Sequence, residues 1–174
     1  MRRRSLLRSK RVLGIDPGIG HCGWCTGVVS SGAKIFDCGV ISTKADKKCD
    51  KYKTIDDQRR AVEVLAGLYN IMAAFQPEII SVETPIGGAR NAAAVKYIGM
   101  SSMLIALLVH QYPERVNRYS PYEMKEHFTG DKTAQKDDMI AEAERRFPGV
   151  LAHIKKTYKE HAADAIAALT MEIT

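Results

Sequence analysis

Acidic side chains end two short apolar segments of the sequence, and a third acidic residue lies near the carboxyl end. Asp16 closes segment 11–16 and Glu83 closes segment 78–83, while His161 and Asp164 are three residues apart. A carboxylate at the end of a buried strand is unfavourable unless a cation lies beside it. Three carboxylates and one imidazole, without a set of thiolates, suit hard divalent cations such as Mg²⁺ or Mn²⁺. We therefore predict that these four residues bind metal, and two such ions would support phosphodiester hydrolysis.

Hydrophobic patterning predicts the elements that position these side chains. Segments 11–16, 22–30 and 34–42 have the composition of β-strands, and the hairpin turn between the last two indicates an antiparallel meander. A fourth strand is predicted over 78–83 and a fifth over 115–119. The predicted helices are 54–76, with a capping box of Thr54 and Asp57, then 89–111, 120–130 with Ser120 as N-cap, 134–146 and 160–171.

The order of these elements predicts an α/β fold. Its five-stranded mixed sheet has three antiparallel strands followed by two parallel strands, and helices flank the sheet. Parallel neighbours would bring Asp16 and Glu83 to the same edge, while the spacing of His161 and Asp164 places both on one helical face. Residues 1–10 are predicted to be a basic flexible arm, and 11–174 a single domain.

Charge and composition narrow the classes of partner. The formal net charge of +6 favours a polyanionic partner, with nucleic acid ahead of a membrane. No apolar run is expected to approach membrane-span length, and the basic start lacks the apolar stretch of a secretory signal, so a cytoplasmic location is expected. Cys22 and Cys25 have the spacing of a redox motif, but within a strand the two thiols should face opposite sides.

Three motifs together carry a family resemblance. Gly14-Ile-Asp16-Pro-Gly18, Ser81-Val-Glu83 and His161-Ala-Ala-Asp164-Ala-Ile-Ala resemble the RuvC family of Holliday junction resolvases, which has the ribonuclease H-like fold. The resemblance covers about residues 11–173. It implies a homodimeric endonuclease that cuts four-way DNA junctions in pairs, with two Mg²⁺ per site and Mn²⁺ as a substitute. The implied metal ligands are Asp16, Glu83, His161 and Asp164. Because many members have Asp in place of His161, Glu160 is an alternative ligand.

The same resemblance implies the DNA contacts and the partners. The helix that begins near residue 89 would form the dimer contact and touch DNA, and Ile86 stands at the position of an aromatic wedge. Lys125 and Lys136 match a basic segment near the active site, where Lys136 would also be catalytic. The full set of predicted DNA contacts is Ile86, Arg90, Asn91, Lys96, Lys125, Lys132 and Lys136. Four-way DNA, a second copy of the chain and branch-migration machinery are the implied partners.

Other classes of protein remain as alternatives. Gly18-Ile-Gly20-His-Cys-Gly23 matches a dinucleotide-binding pattern, but that motif requires a following helix. An actin-like ATPase lobe also opens on an acidic glycine turn, although that fold needs two lobes. A nuclease of the same fold that acts on other branched DNA or processes RNA, and a junction-binding module without catalysis, are the remaining alternatives. Asp16 and Asp164 could also be ordinary turn and surface carboxylates.

Overall fold

The computed structural model describes residues 8–46, 52–87 and 91–174. The strands are β1 (Lys10–Asp16), β2 (His21–Val29), β3 (Ala33–Ser42), β4 (Ile79–Glu83) and β5 (Val116–Tyr119). The helices are α1 (Lys53–Phe75), α2 (Ala92–Gln111), α3 (Pro121–Thr129), α4 (Lys136–Arg146) and α5 (Lys159–Thr170). A single 3-10 turn over Lys156–Tyr158 precedes α5. The flexible arm predicted over residues 1–10 falls largely outside the described residues, and β1 already begins at Lys10.

The five strands form one mixed sheet in the order β3-β2-β1-β4-β5. β1 pairs antiparallel with β2, and β2 with β3, whereas β4 pairs parallel with β1 and with β5. The predicted α/β class and the strand directions are confirmed. The Gly18–Gly23 pattern leads into β2 and not into a helix, which excludes the dinucleotide-binding alternative.

Of the two predicted capping boxes, the structure contains the one at the start of α3 and lacks the one at the start of α1. Ser120 and Glu123 form the capping box predicted for α3, and Gly130 ends that helix in the left-handed region with φ of 84°. The capping box predicted for Thr54 and Asp57 is wrong, because Tyr52 is the N-cap of α1 and makes no side-chain cap. Asp57 is instead buried and forms an ion pair with Lys96 of α2. Local spacing in the sequence does not reveal this interaction.

The sheet separates two hydrophobic cores. One core contains Cys25 together with apolar side chains of α3, α4 and α5, and the other contains Cys22 together with side chains of α1 and α2. The two cysteines therefore face opposite sides of the sheet, as the strand period predicts. Both thiols are free and buried, and burial raises the pKa of the Cys22 thiol to about 12. This arrangement argues against a redox or metal role for the pair.

Glycines allow α5 to lie directly on the sheet. A Cβ atom added at Gly14 of β1 would collide with the carbonyl oxygen of Ala165, and one added at Gly23 of β2 would collide with that of His161. On the next strand the Ser81 hydroxyl donates to the carbonyl oxygen of Ala168 at 2.6 Å. Backbone contact of this kind fixes the height of α5 above the ends of β1 and β4.

Helix α2 leaves much of its apolar surface uncovered. It buries Ser101, Leu104, Ile105 and Leu108 against the sheet, while Val95 and Met103 are 59% and 63% exposed. Among the described residues it is also the one helix that could cross a membrane by length and composition, with mean hydropathy 1.8 and 22% of its best window buried. The expectation that no apolar run approaches span length is therefore wrong, although a single such helix is a weak indication of membrane insertion.

Candidate active site

Asp16 and Glu83 end neighbouring parallel strands and face the same side of the sheet. The β1–β4 register pairs Ile15 with Val82, so the next residues along the two strands are the two carboxylates. Ile15 and Val82 pack into the core beneath α1 and α2, and strand alternation turns Asp16 and Glu83 toward α5. The strand pattern of the sequence thus predicts both their proximity and their orientation.

The first turns of α5 bring the other two predicted ligands to this edge. His161 Nδ1 lies 2.7 Å from Asp16 Oδ2, and the side chains of these two residues are 25% and 16% exposed. Hydrogen bonding to Asp16 raises the pKa of His161, and the surrounding carboxylates act in the same direction. The imidazole is therefore oriented toward Asp16 by a charge-assisted hydrogen bond.

Two carboxyl groups in this cluster are strongly perturbed. Burial raises the pKa of Glu83 to about 9, and the nearby charges of Asp16 and Asp164 add to the effect. Burial also raises the pKa of Asp164 to about 7, again with a contribution from Asp16. Buried carboxyls that repel one another are stabilised by a shared cation, and such perturbations are typical of functional sites.

The donor chemistry of this cluster fits a hard divalent cation. Within the described ranges, however, no group of three or more His, Cys, Asp or Glu side chains has the arrangement of a metal site. The His161–Asp16 hydrogen bond occupies one possible ligand atom of each residue, Nδ1 and Oδ2, and leaves His161 Nε2 and Asp16 Oδ1 outside that bond. Next to Glu83, the Thr84 hydroxyl is the one buried side-chain polar atom of the described residues without a hydrogen-bond partner. The side chains of this site are therefore of the types that bind a divalent metal, but they are not arranged around a common point as metal ligands are.

Two predicted lysines line a cavity of about 180 Å³ beside the carboxylates. Lys125 and Lys136 share its wall with Glu83 and Asp164. The charge of Lys125 lowers the pKa of both carboxyl groups and so opposes the effect of burial. Lys136 Nζ pairs with Glu160 Oε2 at 2.6 Å. The two lysines predicted from the family resemblance therefore lie where a phosphate would approach the carboxylates.

The other predicted DNA contacts occupy different surroundings. Ile86, at 47% exposure, and Lys132 are exposed. Asn91 is the N-cap of α2, and its side chain accepts from Ala94 N at 2.9 Å. Lys96 pairs with the buried Asp57 at 2.5 Å, so it is partly neutralised within the protein. Arg90 lies outside the described residues.

Sequence reasoning missed several side chains around the site. The His21 ring lies 4.7 Å from that of Tyr158 and 5.5 Å from that of His161, and its Nδ1 is 3.2 Å from Ser42 Oγ. Behind the turn, the buried Arg60 donates to Thr43 Oγ1 and pairs with Asp57. Apart from Asp57, their partners lie 17 or more positions away along the chain, so no local motif predicts these contacts. The one available signal was a histidine at the start of a strand that follows the acidic turn.

The comparison with protein families shows the family to which this chain belongs. The model of the family described as crossover junction endodeoxyribonuclease RuvC matches residues 12–171, a span that contains all four predicted ligands. The chain belongs to this family. Its nucleases depend in general on a divalent metal. The match excludes the actin-like alternative, since the family accounts for nearly the whole chain.

Curated relatives and solved structures agree with this assignment. The chain is 30% identical over 158 residues to the crossover junction endodeoxyribonuclease RuvC of Parvibaculum lavamentivorans, covering 89% of this chain and 81% of that protein. The corresponding protein of Natranaerobius thermophilus is 25% identical, with 90% and 89% covered. T. thermophilus RuvC, solved in complex with a Holliday junction substrate, aligns with a TM-score of 0.69 at 22% identity over 92% of this chain and 91% of that chain. The yeast mitochondrial Holliday junction resolvase Ydc2 aligns at 0.63 and 15% identity, over 96% and 80%. These similarities confirm the ribonuclease H-like fold.

Proposed function

We propose that this protein resolves four-way DNA junctions as a Mg²⁺-dependent endonuclease. The observation that carries the proposal is the convergence of Asp16, Glu83 and Asp164 at one edge of the sheet, in a chain of the RuvC family. Carboxyls that repel one another in a buried site have little structural benefit without a cation. The net charge of +6 supports a polyanionic substrate.

The residues of the site divide into two roles in this mechanism. Asp16, Glu83, His161 and Asp164 would hold two Mg²⁺ ions, with Mn²⁺ as a substitute. When bound, the ions would activate water and stabilise the leaving 3′ oxygen, which leaves a 5′-phosphate end. Lys125 and Lys136 would bind the phosphate beside the carboxylates and offset its developing negative charge. Glu160, which is paired with Lys136, is the alternative fourth ligand.

Paired cutting requires two sites, and we propose that a second copy of the chain supplies the other one. The exposed side chains Val95 and Met103 lie eight residues apart on α2, with Gly99 between them. A Cβ atom added at Gly99 meets nothing within 4 Å, so the middle of this stripe is open to close approach. A two-fold dimer through α2 would match the symmetry of a four-way junction.

Several further expectations belong to the same proposal. Ile86, Arg90, Asn91, Lys96 and Lys132 would contact the arms of the junction. Branch-migration machinery would be a partner, which rests on the family resemblance. The cytoplasm would be the location, which rests on the basic start without the apolar stretch of a secretory signal. The basic residues 1–10 would add non-specific contacts to phosphates.

A substrate panel tests the proposed function. The purified protein is incubated with four-way, three-way, flap, duplex and RNA–DNA substrates, with Mg²⁺ or with EDTA, and the cut sites are mapped. We expect symmetric cuts in the four-way junction that depend on Mg²⁺. Preferential cutting of another substrate favours the nuclease alternatives, and junction binding without cutting by any divalent ion favours the non-catalytic module.

Substitution of Asp16 links the reaction to the proposed site. Asp16→Asn keeps the side-chain size and removes the charge that the cations require. We expect cleavage to fall by at least about a hundredfold while junction binding is retained or tightened. If the Asp16→Asn variant cleaves at the wild-type rate, Asp16 has no role in the mechanism.

A further inference from the structure

Lys136, which lines the cavity beside the carboxylates, forms an ion pair with Glu160. Lys136 Nζ at the start of α4 lies 2.6 Å from Glu160 Oε2 in the first turn of α5. The side chain of Lys136 is 75% exposed, whereas that of Glu160 is 23% exposed. The lysine is therefore accessible to solvent and to DNA, while its acidic partner is held within the protein surface.

Glu160 also contacts the opposite side of the site. Its Oε1 atom lies 3.5 Å from His161 Nε2, and His161 in turn bonds Asp16 through Nδ1. The two oxygens of one carboxylate thus face Lys136 and the imidazole. Glu160 lies between a cation that faces incoming phosphate and a side chain of the predicted metal set.

This ion pair is weak enough to be replaced by another anion. A partly exposed salt bridge contributes little to stability, because solvent screens the two charges. A phosphate oxygen offers the ammonium the same kind of charge-assisted hydrogen bond as a carboxylate oxygen. Phosphate bound near the carboxylates of the pocket can therefore exchange with Glu160 at low cost.

We infer that Glu160 is a positioning residue that holds Lys136 in the DNA-free protein and gives it up to a backbone phosphate of the DNA. The inference rests on the proposed function, because it requires DNA to enter this pocket. It assigns to Glu160 a role different from metal binding. The ammonium is kept at the rim of the pocket by an internal anion, and DNA binding exchanges one anionic partner for another.

The exchange predicts a change in salt dependence. In the wild-type protein, transfer of Lys136 to a phosphate releases a counterion from the DNA but leaves the Glu160 carboxylate to take up a cation, so the net release of counterions is small. In Glu160→Gln the lysine is unpaired, and we expect junction affinity to rise about threefold at low salt. The slope of log K against log salt concentration should steepen by about one. Glu160→Asp keeps the charge and should retain the wild-type slope.

A double-mutant cycle separates this exchange from general charge repulsion. Removing any acidic residue near DNA can tighten binding, whereas a specific exchange requires Lys136. We expect the effect of Glu160→Gln to disappear in a Lys136→Met background. Glu144→Gln is the matched control, because Glu144 pairs with Lys159 across the same two helices at 3.8 Å. This control should leave the salt slope unchanged.

The outcomes distinguish the inference from the proposed function. If Glu160→Gln tightens binding equally with and without Lys136, or leaves both affinity and slope unchanged, the inference is overturned. If wild-type protein neither binds nor cuts four-way junctions, the proposed function fails first. Binding is measured by fluorescence anisotropy with Ca²⁺ in place of Mg²⁺, and cleavage is measured separately with Mg²⁺.

Discussion

His21 provides lateral support for His161. Its ring contacts those of Tyr158 and His161, and its Nδ1 is within hydrogen-bond distance of Ser42. Contact with the His21 ring restricts the orientations that the imidazole of His161 can take. In the proposed reaction His161 would bind a metal ion, so the orientation of its ring matters there.

Substitution of His21 should therefore slow cleavage more than it weakens binding. In His21→Ala the imidazole of His161 loses its neighbour, and we expect the rate at saturating junction to fall about tenfold. The dissociation constant should change less than about twofold. His21→Phe keeps a ring at this position and should restore most of the rate. Single-turnover cleavage measures the effect, and an equal loss of rate in both variants would contradict the positioning role.

The limits of sequence reasoning are clearest at individual residues. The ends of β1 and β4 predict the proximity of Asp16 and Glu83, because strand alternation and parallel pairing are local rules. The spacing of Thr54 and Asp57 predicts a capping box because three-residue spacing is a local signal too. In the structure Asp57 pairs with Arg60, three positions away, and with Lys96, which is 39 positions away on another helix. Contacts of this range depend on how the helices pack, and no spacing within the sequence encodes them.

At the scale of elements, the contact between α5 and the sheet determines the geometry of the site. Gly23→Ala places a methyl group against the carbonyl oxygen of His161, and that backbone atom cannot rotate away. We expect a loss of about 2 kcal/mol or more in the free energy of unfolding. Urea denaturation measures this loss, and cleavage should fall with it because α5 is displaced.

A second glycine provides the control for this substitution. Gly32 lies in the turn between β2 and β3, and a Cβ atom there would meet nothing within 4 Å. Gly32→Ala should change the free energy of unfolding by less than about 0.5 kcal/mol. Similar losses in both variants would show that alanine acts through backbone conformation and not through the contact with α5.

The connection between α3 and α4 predicts a pH-dependent contribution to stability. Glu142 accepts hydrogen bonds from Arg145 and Arg146, and Arg146 also donates to the carbonyl oxygen of Phe128 at 2.6 Å. The Arg145 hydrogen bond is the main reason that the pKa of Glu142 falls to about 2. A pKa lowered in the folded state stabilises the protein above the unfolded value near 4.5, and the effect is lost as pH falls toward 2.

Glu142→Gln tests this linkage. Because Arg145 is 69% exposed and solvent screens the pair, we expect a loss of only about 1 kcal/mol at neutral pH. The difference from wild type should shrink below pH 4.5 and vanish near pH 2. Denaturant unfolding at several pH values measures it. A difference that stays constant with pH would show that the hydrogen bonds, and not the charge, account for the effect.

At the scale of the whole molecule, the exposed stripe on α2 predicts the state of assembly. Met103 is 63% exposed, and a glutamate at this position would place a charge in the proposed dimer contact. We expect Met103→Glu to be monomeric in sedimentation experiments and to lose coordinated cutting of the two junction strands. Val62→Glu, at an equally exposed apolar position on α1, should leave the assembly unchanged. A dimeric Met103→Glu protein would exclude α2 as the contact.

The glycine contacts of α5 have a consequence for how this fold tolerates change. The spacing between the α5 main chain and the strands is set by atoms that every residue shares, so substitutions among the apolar side chains alter core volume without altering that clearance. A site whose geometry depends on these main-chain contacts can persist while most of the side chains change. We expect the clearance between sheet and helix to be more sensitive to a change at Gly14 or Gly23 than to a change at any one apolar side chain of the core.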